Sequence, residues 1–299
     1  MSENMIKSYK GFDKDMQCRG FQYEVGKEYD MDGEIKCCDR GFHACKSPLE
    51  VWDYYDMLNS RFAEVEQSGK IDEEENSTKV CSSRIKIKAE LKLADIINIG
   101  VEWLKDITSP TKVKETGTLN DNSGDSAKIG SSGCSAQIGS SGYSAQIGSS
   151  GYSAKIGSSG DYAKIGSSGD YAQIGSSGYS AKIGSSGDSA KIGSSGCSAQ
   201  IGSSGDYAQI GSSGDSAKIG SSGYSAQIDS TGDDSVIMCA GNSSIAKAKV
   251  GSWITLAEWK WSDEKKRDVP VCVKTEYVDG ENIKADTWYQ LKNGKFVEV

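Results

Sequence analysis

The chain has 299 residues, with 34 basic and 42 acidic side chains and a net charge of -8, a balance that disfavours tracking a phosphate backbone by counterion release. No apolar run approaches the twenty residues of a membrane span and no basic-plus-apolar leader is visible, so a cytoplasmic protein without direct membrane contact is expected. Nine cysteines, an odd number, favour reduced thiols over a disulfide framework.

Residues 1–117 read as a small α+β domain. Tyr9-Lys10-Gly11-Phe12 and the run Cys18 to Lys27 look like short strands separated by glycine turns. Ser47-Pro48-Leu49-Glu50 has the pattern of a helix start, with Ser at the cap and Pro at the first position, and the helix is expected to reach about Met57. Strands are expected at Arg61 to Glu66 and Val80 to Leu91, with an acidic loop Asp72-Glu73-Glu74-Glu75-Asn76 between them. A second helix, Leu93 to Lys105, and a linker from Thr108 to Thr118 complete the unit.

Soft ligands cluster in Cys37-Cys38-Asp39-Arg40-Gly41-Phe42-His43-Ala44-Cys45, which holds the single histidine. Together with Cys18, the residues Cys37, Cys38, His43 and Cys45 are the candidate set for a tetrahedral zinc ion, although their spacing matches no standard knuckle; buried structural thiols are the competing reading. A Cys45–His43 nucleophilic pair would lack an orienting third group. No catalytic residue and no cofactor is assigned.

Residues 118–240 are dominated by Gly-Ser-Ser-Gly-x-(Ser/Tyr)-Ala-(Lys/Gln)-Ile, in which thirteen isoleucines from Ile129 to Ile237 recur every nine residues. So regular a repeat means a stacked β-solenoid. In Ser144-Ala145-Gln146-Ile147 the alternation places Ala and Ile inward and the polar residues outward, and Gly148-Ser149-Ser150-Gly151 is expected to turn the corner with glycines at positive φ. The narrow Ala/Ile interior favours two repeats per coil over three, giving about six coils and a rod roughly 30 Å long at the usual strand spacing. A calcium roll is disfavoured by the missing aspartate ladder, and ice-binding solenoids share the architecture but not the threonine rows. The variable slots carry Tyr143, Tyr152, Tyr162, Tyr171, Tyr179, Tyr207 and Tyr224, the candidate partner-binding residues; Cys134 and Cys197 read as neutral occupants of the same slot.

In residues 241–299 bulky aromatics, Trp253, Trp259, Trp261 and Trp288, replace the Ala/Ile array. A β cap that covers the solenoid end and spends these rings on packing is expected, with hairpin turns at Asp279-Gly280 and Asn293-Gly294. The fold class is thus mainly β: an α+β domain, a two-sided solenoid and a β cap.

The runs Arg19-Gly20-Phe21-Gln22-Tyr23-Glu24-Val25-Gly26-Lys27 and Gly41-Phe42-His43-Ala44-Cys45, followed by Pro48-Leu49-Glu50-Val51, resemble an uncharacterised family of phage and prophage proteins, several of which carry similar nonapeptide arrays, and the segment Val278 to Glu298 resembles that family's ending. The resemblance implies action inside a bacterial host and brings no catalytic residues with it. The expected function is therefore non-enzymatic binding of a host protein or ribonucleoprotein complex, in its concrete form inhibition of a host defence system in the manner of an anti-CRISPR protein. Homo-oligomerisation stays open. Two alternatives stand beside this reading: a structural spacer in the virion, and a diverged ADP-ribosyltransferase, which Gly41-Phe42, the helix after Ser47 and Glu64-Val65-Glu66 resemble in order.

Overall fold

Hydrogen bonding between alternate repeats organises the longer part of the chain. The computed structural model describes residues 5–74, 77–107 and 124–299, divided into two compact units, Met1–Trp103 and Leu104–Val299. The linker expected at Thr108 to Thr118 and the end of the acidic loop at Glu75 and Asn76 lie outside the described residues.

In the first unit the strands are β1 (Ile6–Phe12), β2 (Gln17–Cys18), β3 (Phe21–Gln22), β4 (Glu28–Asp30), β5 (Phe42–Cys45), β6 (Arg61–Glu73) and β7 (Lys79–Leu91). The antiparallel pairings β1–β6, β6–β7, β7–β5 and β5–β1 close a ring, and β4 pairs with a further stretch of β7. Closure pairs the outer strands of an otherwise open sheet with each other, leaving the short β4 as its edge among the described residues. The ring holds Phe12, Phe42, Ala63, Val65, Ile85 and Ile87 as core. It also buries Ser8 and Gln67, whose polar atoms are satisfied inside the ring: Ser8 donates to Gln67 Oε1 at 2.6 Å, and Gln67 Nε2 donates to the Phe42 carbonyl at 2.7 Å. The helix expected from Ser47 to Met57 is a short 3-10 turn, Leu49–Asp53, capped at Pro48 with no side-chain bond from Ser47. Its buried face, Leu49, Val51 and Trp52, is too short in sequence to continue as an α-helix before the Asp56 carboxylate captures the amides of Leu58 and Asn59. Helix α1 (Leu93–Ile107) matches expectation.

Fourteen four-residue strands, β8 (Lys128–Ser131) through β21 (Ile245–Ala248), form the solenoid of the second unit and alternate between two parallel sheets. Each pairs in register with the strand two repeats away, Ile147 opposite Ile129 and Ile165. One coil is therefore two repeats, and seven coils stack where about six were expected, because β21 (Ile245–Ala248) adds a fourteenth repeat beyond Ile237 of β20 (Val236–Cys239), after the sequence motif has decayed. Ala and Ile face inward as expected, nearly all fully buried.

The corner differs from the reading of the sequence. The strand is Lys/Gln-Ile-Gly-Ser, and the left-handed residue is the Ser or Tyr of the second variable slot, with φ from 51° to 62° at positions such as Ser144, Tyr162 and Ser225. None of the described repeat glycines takes positive φ. A left-handed non-glycine residue costs about 1 kcal/mol, which is offset here by a bond to the next coil: Ser153 N donates to Asp170 O at 2.9 Å and Tyr162 N to Tyr179 O at 2.8 Å. The second glycine of the motif is required for a steric reason instead. A Cβ on Gly178 would fall on the carbonyl oxygen of Gly160 in the coil before, whereas one on Gly184, the first glycine of its motif, would meet nothing within 4 Å.

The cap consists of β22 (Trp253–Ser262), β23 (Arg267–Tyr277), β24 (Tyr289–Lys292) and β25 (Lys295–Glu298), which extend the same two sheets. Asn293 and Gly294, both at positive φ, turn the β24–β25 hairpin as expected. Asp279-Gly280 is no hairpin turn: the Asp279 carboxylate accepts the Asn282 side-chain amide at 2.7 Å and the backbone amides of Ile283, Glu281 and Asn282 at 2.8–3.0 Å, bonds that in that order hold its pKa down at about 2, and the chain crosses from one sheet to the other. Ile254, Leu256, Val278, Tyr289 and Leu291 fill the capped end. The tryptophans do not supply that core. Trp253 and Trp261 face outward because the alternation of β22 turns Ile254 and Leu256 inward.

Gly178→Ala is expected to destabilise the solenoid by roughly 1–3 kcal/mol through overlap with the preceding coil, and Gly184→Ala to change stability by less than about 0.5 kcal/mol. Thermal unfolding followed by circular dichroism compares the two; equal effects would contradict the assigned coil contacts.

Candidate functional site

Two places gather groups that the fold itself does not need. The first is a cavity of about 790 Å³ in the amino-terminal unit. Strand β1 sends Lys10 into it, and Gly11 lets the Tyr55 ring lie against the strand, since a Cβ at that position would collide with the ring. The Lys10 amine donates to the His43 carbonyl at 2.9 Å and lies 3.6 Å from Cys18 Sγ, which in turn is 3.0 Å from the Tyr55 hydroxyl. The rings of Phe12, Tyr23 and Tyr55 stand 5.6, 5.6 and 6.0 Å from the amine. Lys10 is only 3% exposed. Burial pushes its pKa below the ordinary 10.5, against the opposing influence of Cys18 and Cys45 and with that of Arg19. Burial likewise raises the phenols of Tyr23 and Tyr55.

The zinc candidates do not converge on one point. Cys37 N donates to an Asp72 carboxylate oxygen at 2.7 Å and its thiol to the Asp72 carbonyl at 3.2 Å. Cys38 Sγ accepts from Lys79 Nζ at 3.1 Å, Cys18 faces Lys10 and Tyr55, and Cys45 is buried on β5. His43 Nε2 accepts the Cys38 amide at 3.0 Å, so it is the unprotonated nitrogen, and burial followed by the charges of Lys10 and Lys79 lowers the imidazole pKa. Among the described residues no three His, Cys, Asp or Glu side chains are placed to hold a metal ion. The Gly41 turn, at φ 139°, sends Cys37 and Cys38 toward different partners than the strand residues His43 and Cys45. The two carboxylates of Glu64-Val65-Glu66 do share a face of β6, but they pair with Lys7 at 2.9 Å and Lys88 at 2.9 Å and do not line the cavity.

The second place is the outer surface of the solenoid. All seven candidate tyrosines are exposed, by 42–57%. Because a coil is two repeats, they sort onto the two edges of the rod: Tyr143, Tyr162 and Tyr179 stack on one edge with ring centroids 5.3 and 5.9 Å apart, while Tyr152–Tyr171 and Tyr207–Tyr224 pair on the other at 5.2 and 5.6 Å. The Asp that alternates with Tyr in the first variable slot has a structural job. Asp161 Oδ1 accepts the Tyr179 amide at 2.8 Å and Asp206 Oδ1 the Tyr224 amide at 2.7 Å, each tying its coil to the next. Cys134 and Cys197 are exposed in that slot.

A further surface escapes the sequence reading. In the last coil of one sheet Val236 stands in the Lys/Gln column and Met238 in the Gly column, and Val236 is in register with Trp253, which is in register with Tyr277. All four are exposed, and the Trp253 and Tyr277 rings are 5.1 Å apart. Its signal in the sequence is the break from Lys/Gln-Ile-Gly to Val236-Ile237-Met238.

Compared with known proteins, residues 6–99 match a family described as a domain of unknown function, DUF7666. The match covers about a third of the chain and stops short of the repeats. No curated protein and no solved structure matches the chain.

Lys10→Met removes a buried amine that lacks a carboxylate partner among the described residues, at the cost of about 1 kcal/mol for the His43 carbonyl left unpaired. The variant is expected to be as stable as the wild type or more stable by up to ~2 kcal/mol at pH 7. Since folding lowers the Lys10 pKa, the unfolded chain binds the extra proton, and wild-type stability gains as pH climbs toward 10.5. The advantage of Lys10→Met should therefore shrink over that range in denaturant titrations at pH 7 and 10. A loss of more than ~2 kcal/mol at pH 7 would make Lys10 a structural residue.

Proposed function

We propose that the protein is a non-enzymatic binding protein whose solenoid presents aromatic side chains to a host macromolecule. The stacked tyrosines carry this reading. Their rings pack on one another at the surface and contribute nothing to the Ala/Ile core, and aromatic groups of this kind dominate binding energy at protein interfaces. The exposed Val236, Met238, Trp253 and Tyr277 support it, because at Val236 and Met238 an apolar group replaces the Lys/Gln and Gly that the preceding coils of the same sheet use. The rod fixes the spacing of these groups, which suits a folded protein or ribonucleoprotein complex as the partner.

The resemblance to phage and prophage proteins supports a partner in a bacterial cytoplasm, and inhibition of a host defence complex is the specific form of the proposal. An ADP-ribosyltransferase is not favoured, since Glu64 and Glu66 are each committed to a lysine.

Affinity capture from bacterial lysate, read by mass spectrometry, tests the proposal with three baits: the full chain, the variant with Tyr143, Tyr162 and Tyr179 changed to Ser, and the variant Val236→Lys with Met238→Gly. A stoichiometric partner is expected on the wild type, with recovery at least tenfold lower on the tyrosine variant at unchanged melting temperature. The absence of any partner, or a partner retained by both variants, would overturn it.

A further inference from the structure

The cavity around Lys10 contains a buried cation for which the described residues supply no counter-ion. The carboxylates that line it are engaged elsewhere: Asp13 Oδ1 accepts the amides of Asp15 and Gln17 at 2.9 and 2.7 Å, Asp30 Oδ1 pairs with Arg84 at 2.6 Å, and Asp56 Oδ1 accepts the amides of Leu58 and Asn59 at 2.9 and 2.8 Å. Among the described residues no ion pair reaches the Lys10 amine; its contacts are a carbonyl oxygen, a thiol and three ring faces. A buried charge left in this state is unfavourable, and a titratable group so placed in a cleft marks a candidate functional site.

A second cation belongs to the same cavity. Arg19, exposed and held in the left-handed region at φ 52° on the turn between β2 and β3, lines the cavity and makes no side-chain ion pair or hydrogen bond among the described residues. The third lining cation, Lys79, is already neutralised by Glu74 at 3.6 Å. The same cavity is lined by the aromatic rings of Phe21, Tyr23, Phe42, Tyr54 and Tyr55. Phe21 in particular is 44% exposed although its ring packs edge-on against Tyr23 and Tyr29 at 4.8 and 5.3 Å, a preformed flat surface open to solvent.

We propose that this cavity is a binding site for a small anion with a flat aromatic body, its carboxylate or phosphate group meeting Lys10 and its ring lying against Phe21 and the tyrosines. The size fits, since pockets for such ligands run from about 300 to 1,000 Å³. Arg19 attracts the anion and closes over it, and Lys10 provides the charge that a neutral ligand could not satisfy. This activity is independent of the solenoid, so its failure would leave the partner-binding proposal untouched.

The test uses the full chain and four small probes: benzoate and phenyl phosphate as anions, benzamide and benzyl alcohol as neutral counterparts, with dissociation constants from ligand-observed NMR. At least one anion is expected to bind tenfold or more tightly than its neutral counterpart, and which of the two anions wins identifies the head group. Lys10→Met is expected to erase that preference, and the exposed Arg19→Gln to weaken the anion about threefold without disturbing the fold. Equal binding of anions and neutral probes by the wild type, no binding of either anion, or an anion preference that survives both substitutions would overturn the site. The wild-type comparison decides even if Lys10→Met does not fold.

Discussion

A backbone ladder that joins every repeat to the second one along is the constraint on which the long unit depends. Each short strand donates and accepts with the strand one coil away, and the corner amides do the same, Ser144 N to Asp161 O and Ser150 N to Ser131 O among them. Apolar burial per coil is small, an Ala and an Ile from each repeat, so stability comes from the stack and not from any one coil. The repeat tolerates no bulk at its second glycine, where coils approach most closely, and it accepts left-handed strain at the second variable slot, Ser or Tyr, in return for an inter-coil bond. The sheet ends then need covering, which β22 to β25 provide by continuing both sheets.

Once the ladder has fixed the backbone, the outward slots are free to vary, and their chemistry can be separated by what each side chain touches. Asp in the first variable slot is used up in tying coils together. Tyrosine rings in either slot pack on other tyrosines at the surface, and Val236 and Met238 face solvent where lysine and glycine would suffice. The amino-terminal ring shows the converse case. There a polar pair, Ser8 and Gln67, is satisfied in the core, while Lys10 on the same strand as Ser8 is buried without a compensating charge among the described residues. Groups that the fold does not explain mark the surfaces where function is to be sought.

Much of this is legible in the residues. A nine-residue period with alternating Ala and Ile implies the solenoid and favours a two-sided coil over a three-sided one, since such small side chains would underfill a wider interior. The corner is not legible, because glycine is ordinarily the residue of positive φ, whereas its role here is the absence of a Cβ beside the carbonyl of the preceding coil, a contact across two repeats that no local pattern reveals. Hydrophobicity alone puts the cap tryptophans in the core, although the alternation of Trp253-Ile254-Thr255-Leu256 already places the aliphatic residues on the inner face. The cavity has no sequence signature at all: Lys10 on β1, Cys18 on β2, His43 on β5 and Tyr55 after the 3-10 turn meet only in the folded unit, and the proximity of cysteines along the chain points to a metal site instead.

The coil of two repeats sorts the tyrosines and sets every register in the rod, and spin labels test it directly. In a background with the exposed thiols Cys38, Cys134 and Cys197 replaced by serine, label pairs are placed at cysteines substituted for Tyr143 with Asp161, Tyr143 with Tyr152, and Tyr143 with Asp170, and continuous-wave EPR spectra are compared at low temperature. Strong dipolar broadening for the first pair alone is expected, because those residues lie on adjacent coils of one edge at a strand spacing of about 4.8 Å. Broadening for Tyr143 with Asp170, and none for Tyr143 with Asp161, would instead require three repeats per coil and would contradict the fold and the tyrosine stacks built on it.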